Sequence, residues 1–198
     1  MSSAARDEDL AIARRAAGGD RVAQRALFVA LRRAVHHTLY RILGSNRDIE
    51  DLVQDAFIEI FRALPTFRGD STLSRWCQTI TTRIAYLAIS RRRPATIELT
   101  LVEDVVADGS PDAHRVALAR DAARRLYAAL DHLDPHKRVA FALAVIDGLS
   151  LREVAELTGS STFAVKTRVW RGRRELYKRA QNDPVLREYL GALDGGDR

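Results

Sequence analysis

The sequence lacks most of the residues that cross-link a chain or anchor it in a membrane. Cys77 is the single cysteine among 198 residues, which excludes an intrachain disulfide framework and a cysteine-built zinc site. No stretch approaches the roughly 20 apolar residues of a transmembrane helix. The N-terminus lacks the basic-then-apolar order of a signal peptide. These absences favour a protein of the reducing cytoplasm.

Signatures of catalysis are lacking as well. The sequence contains neither a P-loop nor a GxGxxG motif, so it indicates no nucleotide site. His36 and His37 are adjacent on a predicted helix and point about 100° apart, so they cannot hold one metal as an i, i+4 pair does. No histidine accompanies a serine or cysteine in a recognisable triad. We therefore expect no metal, no cofactor and no enzymatic activity.

The residues that are present predict an all-α protein. Hydrophobic residues make up 46% of the chain and charged residues 29%, which excludes a fully disordered protein. Apolar residues recur at helical spacing over 22–43, 48–64, 73–89 and 119–133, and alternating strand patterns are absent. Asp134-Pro135 then predicts the start of a further helix. The length suits one large domain or two small ones.

An acidic stretch divides the chain. Residues 94–118 carry a net charge of −4, contain Pro94, Gly109 and Pro111, and show no helical stripe. We interpret this stretch as a flexible linker. The prediction is a domain over residues 1–93, the linker, a domain over 119–181, and a short helical C-terminal extension over 182–198 that frays.

Residues 150–176 predict a helix-turn-helix. Ser150 and Glu153 have the spacing of a capping box at the start of a short helix. Gly159 suits the positive φ of a tight turn, and Ser160 or Ser161 caps a second helix. This arrangement places a second helix in a DNA major groove.

The charge of the second helix agrees with binding to DNA. The whole chain has a net charge of +6, and residues 166–179 alone contribute +6. Such a cluster suits contacts to phosphates. Taken without the helix-turn-helix pattern, the same charge is equally typical of a solvated, arginine-rich helix.

Three ordered blocks give the chain a wider resemblance. They are Gly19-Asp20 with Leu27-Phe28; DIEDLVQDAFIEIFRAL at 48–64 followed by FRGDSTLSRWCQTI at 67–80; and LSLREVAELTGSSTFAVKTRVWRGRREL at 149–176. Over about residues 10–181 the chain resembles the extracytoplasmic-function (ECF) group of the sigma-70 family. The resemblance implies two helical domains, sigma regions 2 and 4. It also implies a sigma factor that binds core RNA polymerase and directs promoter-specific transcription initiation.

The resemblance assigns the 48–64 helix to the polymerase. In the family this helix docks on a basic coiled coil of the largest polymerase subunit. Ile58 interrupts its polar face, which a purely solvated helix would not favour. The candidate polymerase-binding residues are Glu50, Asp51, Gln54, Asp55 and Ile58.

The resemblance assigns the following loop and helix to the −10 element. In similar proteins the loop holds a base that is flipped out of the duplex, and stacking and polar contacts in the pocket stabilise that base. Arg83 stands where the family usually has Asn, so the base preference does not transfer. The three arginines at the end of this helix either contact the DNA backbone or stabilise the helix by lying near the negative end of its dipole: Arg91, Arg92 and Arg93. The candidates are Phe67, Asp70, Ser71, Arg83, Arg91, Arg92 and Arg93.

The second helix of the helix-turn-helix is implied to read the −35 element. Ala164 replaces the family's usual Thr and removes one possible phosphate contact. Free N–H groups at the helix start favour phosphate, and Arg–guanine pairing is the commonest base contact. The candidates are Ser161, Thr162, Phe163, Lys166, Thr167, Arg168 and Arg171.

The family also implies an anti-sigma partner, which in relatives wedges between the two domains. Two other interpretations compete with a sigma factor. A stand-alone dimeric helix-turn-helix regulator would bind a palindromic duplex without polymerase. An enzyme acting on nucleic acid would need a metal or acid–base cluster, and the sequence shows none.

Overall fold

The described part of the chain is almost entirely helical, as its apolar spacing predicts. The computed structural model describes residues 3–44, 48–91 and 113–195, and these contain no strand. The helices are α1 (Ser3–Ala17), α2 (Arg21–Leu43), α3 (Ile49–Ala63), α4 (Leu73–Arg91), α5 (Ala113–Leu130), α6 (Pro135–Phe141), α7 (Leu151–Thr158), α8 (Thr162–Arg179) and α9 (Pro184–Gly195). Single turns at Leu64–Thr66 and Ala180–Asn182 are 3₁₀, and Ala142–Ile146 forms a π turn after α6.

Part of the linker predicted from the sequence is helical. Helix α5 begins at Ala113, so residues 113–118 of the predicted linker are helical. Residues 94–112 lie outside the described residues, as do the −10 candidates Arg92 and Arg93.

Side-chain caps explain why several helices begin where they do. The Asp20 carboxylate accepts hydrogen bonds from the backbone N–H of Val22 (2.9 Å) and Ala23 (3.1 Å) at the start of α2. The bond from Ala23 and the pairing with Arg15 lower the pKa of Asp20. Asp9 of α1 accepts from the backbone N–H of Leu73 at 2.8 Å and so caps α4 from a distant helix. Helix starts are thus fixed both locally and by packing.

The N-terminal half is a bundle whose core lies between α2, α3 and α4. Leu39, Ile42, Ala56, Ile60 and Ala85 are completely buried there. Helix α1 packs across α2 and covers the turn after α3. The predicted stripe of the 48–64 helix is confirmed as the face that α3 buries.

The C-terminal half includes the extension. Leu186 and Leu190 of α9 are buried in a cluster with Leu126, Leu130 and Leu176. The Tyr177 hydroxyl on α8 donates to the Asp194 carboxylate on α9 at 2.7 Å. The extension is therefore helical through residue 195, as the sequence predicts, but it packs against α5 and α8 where the sequence predicted fraying.

The two halves share one core. Val139, Leu143 and Val154 of the C-terminal half are buried in the same apolar cluster as Leu39 and Ile60 of the N-terminal half. Helix α4 contacts both α6 and α7. The two domains predicted from the sequence therefore pack directly against each other in this structure.

We expect Leu190→Ala to destabilise the protein by about 2–5 kcal/mol, the usual cost of emptying a fully buried leucine site. Leu190 is 1% exposed, whereas Glu188 on the same helix is exposed and serves as the control in Glu188→Ala. Urea unfolding of both variants measures the difference. Equal midpoints would contradict a structural role for α9.

Candidate nucleic-acid and protein-binding surfaces

The predicted helix-turn-helix is formed by α7 and α8. The Ser150 hydroxyl accepts from the Glu153 backbone N–H, and the Glu153 carboxylate accepts from the Ser150 backbone N–H at 2.9 Å. The Ser150 hydroxyl also donates to the Glu153 carboxylate at 2.7 Å, and this bond, together with the one from the Ser150 backbone N–H, lowers the pKa of Glu153. Gly159 ends α7 at φ +59°, in the left-handed region. Ser161, one of two predicted caps, accepts from the backbone N–H of Ala164 at 3.1 Å and starts α8.

Helix α8 presents an exposed aromatic and cationic face. Phe163 is 79% exposed and Trp170 is 58% exposed, although both are large apolar side chains. The guanidinium of Arg174 lies over the Trp170 ring at 5.6 Å from its centroid. Lys166 and Arg171 are exposed and have no hydrogen-bond or ion-pair partner among residues 3–44, 48–91 and 113–195. Since a large exposed apolar patch with free cations marks a binding surface, this face is the strongest candidate for nucleic acid.

Arg168 is engaged within the protein. Its guanidinium donates to the Ser160 hydroxyl at 2.7 Å, which ties α8 to the turn that precedes it. Thr167 and Arg168 are half-buried, while Ser161 and Thr162 lie exposed at the start of α8. Spacing alone did not reveal the Arg168–Ser160 bond, because it depends on the conformation of the turn.

Helix α3 turns the predicted polar face to solvent. Glu50, Asp51, Gln54 and Asp55 are exposed, and Ile58 is 48% exposed beside them. Glu50 also pairs with Arg32 of α2 at 3.1 Å and approaches His36 at 3.8 Å. Asp51, Gln54 and Asp55 form an exposed acidic surface, and the apolar side chain of Ile58 lies at its edge. Such an arrangement is typical of protein interfaces.

The candidates in the loop before α4 differ in accessibility. Phe67 is 9% exposed and packs on Trp76, with the ring centroids 5.4 Å apart. Asp70 is exposed, with Arg6 of α1 at 4.0 Å. The Ser71 hydroxyl donates to the Thr72 carbonyl at 3.2 Å. Gly69 has φ +74°, in the left-handed region that suits a glycine in a tight turn. Asp70 is thus presented to solvent and Ser71 is half-buried beside it, whereas the Phe67 ring packs on Trp76.

A groove between α3 and α4 joins two sets of candidates. Asp55 and Ile58 line one wall, and Arg83 and Arg91 line the other, around a volume of 480 Å³. The apolar side chains between the walls include Leu52, Ile80 and Ile84. The sequence placed these residues in separate motifs, and packing of α3 on α4 brings them together.

Helix α2 carries a cationic face that the motif search missed. It contains five arginines and no aspartate or glutamate over Arg21–Leu43. Arg21, Arg25 and Arg33 are exposed without ion-pair partners in the described part of the chain. Counting charges for each helix separately would have identified this face.

The described residues give no sign of a metal centre or a membrane span. No group of three or more His, Cys, Asp or Glu side chains is arranged to hold a metal ion within residues 3–44, 48–91 and 113–195. Over the same ranges no helix is both long and apolar enough to cross a bilayer.

The chain matches two parts of one protein family. Residues 27–94 match Sigma-70 region 2, and residues 123–176 match Sigma-70 region 4. Among curated relatives, the ECF RNA polymerase sigma factor SigE of Mycolicibacterium smegmatis is 35% identical over 148 residues, which are 72% of this chain but 55% of that relative. The ECF RNA polymerase sigma-E factor of Escherichia coli K12 is 28% identical over 187 residues, 90% of this chain and 96% of the relative.

Solved structures share the fold. CnrH, determined in complex with the cytosolic domain of CnrY, has a TM-score of 0.58 and 27% identity, covering 88% of this chain and 98% of its own. The sigma factor RpoE of Bartonella quintana, determined with the anti-sigma factor NepR, has a TM-score of 0.52 and 21% identity, with the same coverage. The second likeness concerns the fold alone.

We expect the Cys77 thiol to resist modification in the native protein. The side chain is 1% exposed, and burial raises its pKa to about 12. At pH 8 only about one thiol in ten thousand is then the reactive thiolate. A thiol-specific chromogenic reagent should react at once with the urea-denatured chain and far more slowly with the native one. Rapid native reaction would contradict the buried position of Cys77.

Proposed function

The chain belongs to the ECF group of the sigma-70 family of bacterial RNA polymerase sigma factors, and we propose that it divides promoter recognition between its two halves. As an alternative sigma factor it binds core RNA polymerase and directs promoter-specific initiation. The observation that carries this function is the presence of regions 2 and 4, in order, on one chain whose α8 exposes an aromatic and cationic face. The protein works in the cytoplasm, beside the polymerase, and performs no catalysis of its own.

The N-terminal half, residues 1–93, provides the contact with polymerase and with the −10 element. Asp51, Gln54 and Asp55 supply hydrogen-bond acceptors to a basic partner surface, and Ile58 adds an apolar contact. Asp70 and Ser71 face the unpaired strand from the exposed loop, and Arg83 and Arg91 neutralise phosphates beside it. The acidic polymerase face and the cationic DNA face meet at the groove between α3 and α4, so one helix pair serves both partners.

The C-terminal half, from α5 to α9, reads the −35 element with α8. Lys166 and Arg171 contact phosphates or base edges, since no described residue engages their charges. Phe163 offers an apolar contact suited to a thymine methyl group. Arg168 holds the turn through Ser160 and acts as a positioning residue. The segment before α5, residues 94–112, joins this half to the −10 region.

An anti-sigma protein is the proposed negative regulator. The family resemblance supports this partner, and the similar CnrH was determined with the cytosolic domain of another protein, CnrY. Exposed apolar side chains such as Ile58 and Phe163 would be its anchors, because a partner that covers them blocks both polymerase and DNA.

Run-off transcription tests the function. The purified chain, added to core polymerase of its own organism, should yield transcripts that start at discrete promoters, which can be found by sequencing DNA bound to the reconstituted holoenzyme. Core polymerase alone is the control. The absence of any promoter-dependent transcript would refute the proposal. Tight binding of a dimer to a palindromic duplex without polymerase would instead favour the stand-alone regulator.

Lys166→Ala should weaken binding of the holoenzyme to a duplex that carries the −35 element by about 1 kcal/mol, because each lost phosphate contact removes a charge interaction. The slope of log K against log salt should become shallower by about 0.9 if Lys166 contacts phosphate. Fluorescence anisotropy at several salt concentrations measures both quantities. Arg120→Ala removes one exposed charge from α5 and should change neither.

A further inference from the structure

Helix α1 lies outside both segments that match the sigma-70 family, yet it contacts the surroundings of the loop assigned to the −10 element. The two matches cover residues 27–94 and 123–176, whereas α1 spans Ser3–Ala17. The loop comprises residues 67–72, between the turn that follows α3 and the start of α4, and is termed the −10 loop. Helix α1 packs on that turn and also on α4. The −10 loop therefore begins and ends at elements that contact α1.

The Asp9 carboxylate of α1 holds the downstream end of the −10 loop. Its Oδ2 accepts a hydrogen bond from the backbone N–H of Leu73 at 2.8 Å, in a part-buried position. The first N–H groups of a helix have no partner within the helix, and a charged acceptor makes a strong bond with them. The Leu73 side chain is itself buried, at 3% exposure. The chain is thus fixed at this point through both its backbone and its side chain.

A local cap at the same helix start shows that Asp9 has a further effect. The Thr72 hydroxyl accepts from the backbone N–H of Arg75 at 3.1 Å, and the Thr72 carbonyl accepts from that of Trp76 at 3.0 Å. These are the bonds of an ordinary capped helix start. The bond from Leu73 to Asp9 adds a tether to a helix 64 positions away. It therefore determines where α4 begins relative to α1.

The middle of the −10 loop also lies against α1. Gly69 is buried, and a Cβ atom there would stand 3.1 Å from Leu10 Cδ1 and 3.2 Å from Arg6 Nε. The backbone of the loop is thus in close contact with the helix. Arg6 also lies 4.0 Å from the exposed Asp70 carboxylate, but exposed pairs of this kind contribute little. The contacts of Asp9 and Leu10 are therefore the main restraints on the loop.

The side chains proposed to meet the unpaired strand lie between these restraints. Asp70 is exposed and Ser71 is half-buried, whereas Gly69 and Leu73 on either side of them are buried. A loop that is fixed before binding loses less conformational entropy when a base is bound, so its restraint increases affinity. The restraint also increases selectivity, because binding groups discriminate only when their supporting contacts hold them in place.

We propose that Asp9 is a positioning residue for the −10 loop, and that α1 thereby sets how strictly the chain discriminates among bases of the −10 element. The role at the −10 element rests on the proposed function, whereas the restraint itself rests on the contacts. Asp9 acts through the Leu73 backbone and does not touch DNA. Selectivity therefore depends on a residue that lies outside the loop and outside both family matches.

Amide hydrogen exchange in the free full-length chain tests the restraint without DNA or polymerase. Asp9→Ala should speed exchange at the Leu73 amide by at least about tenfold, since it removes a bond to a charged acceptor. Asp9→Asn keeps an oxygen acceptor at the same position and should restore most of the protection. Glu8→Ala removes an equal charge from an exposed position of α1 and should leave exchange unchanged. Unaltered exchange in Asp9→Ala would overturn the proposal.

Base selectivity of the holoenzyme tests what the restraint does. The probes are single-stranded oligonucleotides with the −10 sequence of a promoter identified from holoenzyme-bound DNA, and the same oligonucleotides with one −10 base replaced. Fluorescence anisotropy gives the ratio of the two dissociation constants. Asp9→Ala should reduce this ratio at least about threefold, since a loop that is free to move tolerates a replaced base. Asp9→Asn and Glu8→Ala should keep the wild-type ratio.

A purely structural role for Asp9 predicts a different result. A partly unfolded variant binds both oligonucleotides less, so the ratio of their dissociation constants stays the same. Circular dichroism and holoenzyme binding to a −35 duplex check that the helices and α8 are intact in Asp9→Ala.

The proposal and the function on which it rests fail separately. Faster exchange at Leu73 with an unaltered ratio in Asp9→Ala would overturn the positioning role. A wild-type holoenzyme that binds every replaced oligonucleotide as tightly as the original would instead refute the proposed −10 function, and the exchange result would still establish the contact between Asp9 and Leu73.

Discussion

The buried guanidinium of Arg138 is the interaction on which the arrangement of this protein depends. A buried charge is costly unless its donors are satisfied, and the last carbonyls of a helix are costly unless something caps them. At the end of α2 the Arg138 guanidinium donates to the Ile42 and Leu43 carbonyls, so the buried cation and the helix-end carbonyls satisfy each other. Because the cation and the carbonyls come from opposite halves of the chain, neither half buries these groups satisfactorily alone. Their pairing therefore couples the two halves into one core.

The shared core determines which surfaces remain free. Helices α6 and α7 pack against α4, so the outer faces of α3 and α8 point to solvent. Ile58 and Phe163 are exposed on those faces, although burying such side chains is worth about 1.5–3 kcal/mol each. Their exposure, in a fold that buries a charged arginine, supports the proposal that these positions contact partners. The same packing holds the two free surfaces at a fixed, short separation.

Local signals in the sequence predicted the helices and several of their caps. Contacts between residues far apart in the sequence could not be predicted from such signals. The capping box of Ser150 and the left-handed Gly159 follow from backbone requirements within a few residues, and both are confirmed. The cap that Asp9 provides for α4 spans 64 positions, and the bond from Arg138 to Leu43 spans 95. No periodicity encodes such pairs. The candidate site was predicted as separate motifs for the same reason, since only packing brings Arg83 beside Asp55.

Positive and negative charge are divided between adjacent faces of the N-terminal half. Helix α2 has five arginines and no acidic residue, whereas α3 beside it exposes an acidic face. The contact of Arg32 with Glu50 marks their boundary, and the charges beyond it face solvent without neutralising each other. A field of one sign attracts a polyanion and repels an acidic protein, so adjacent faces of opposite sign suit two partners of opposite charge. The overall charge of +6 conceals this division, because opposite faces cancel in the sum.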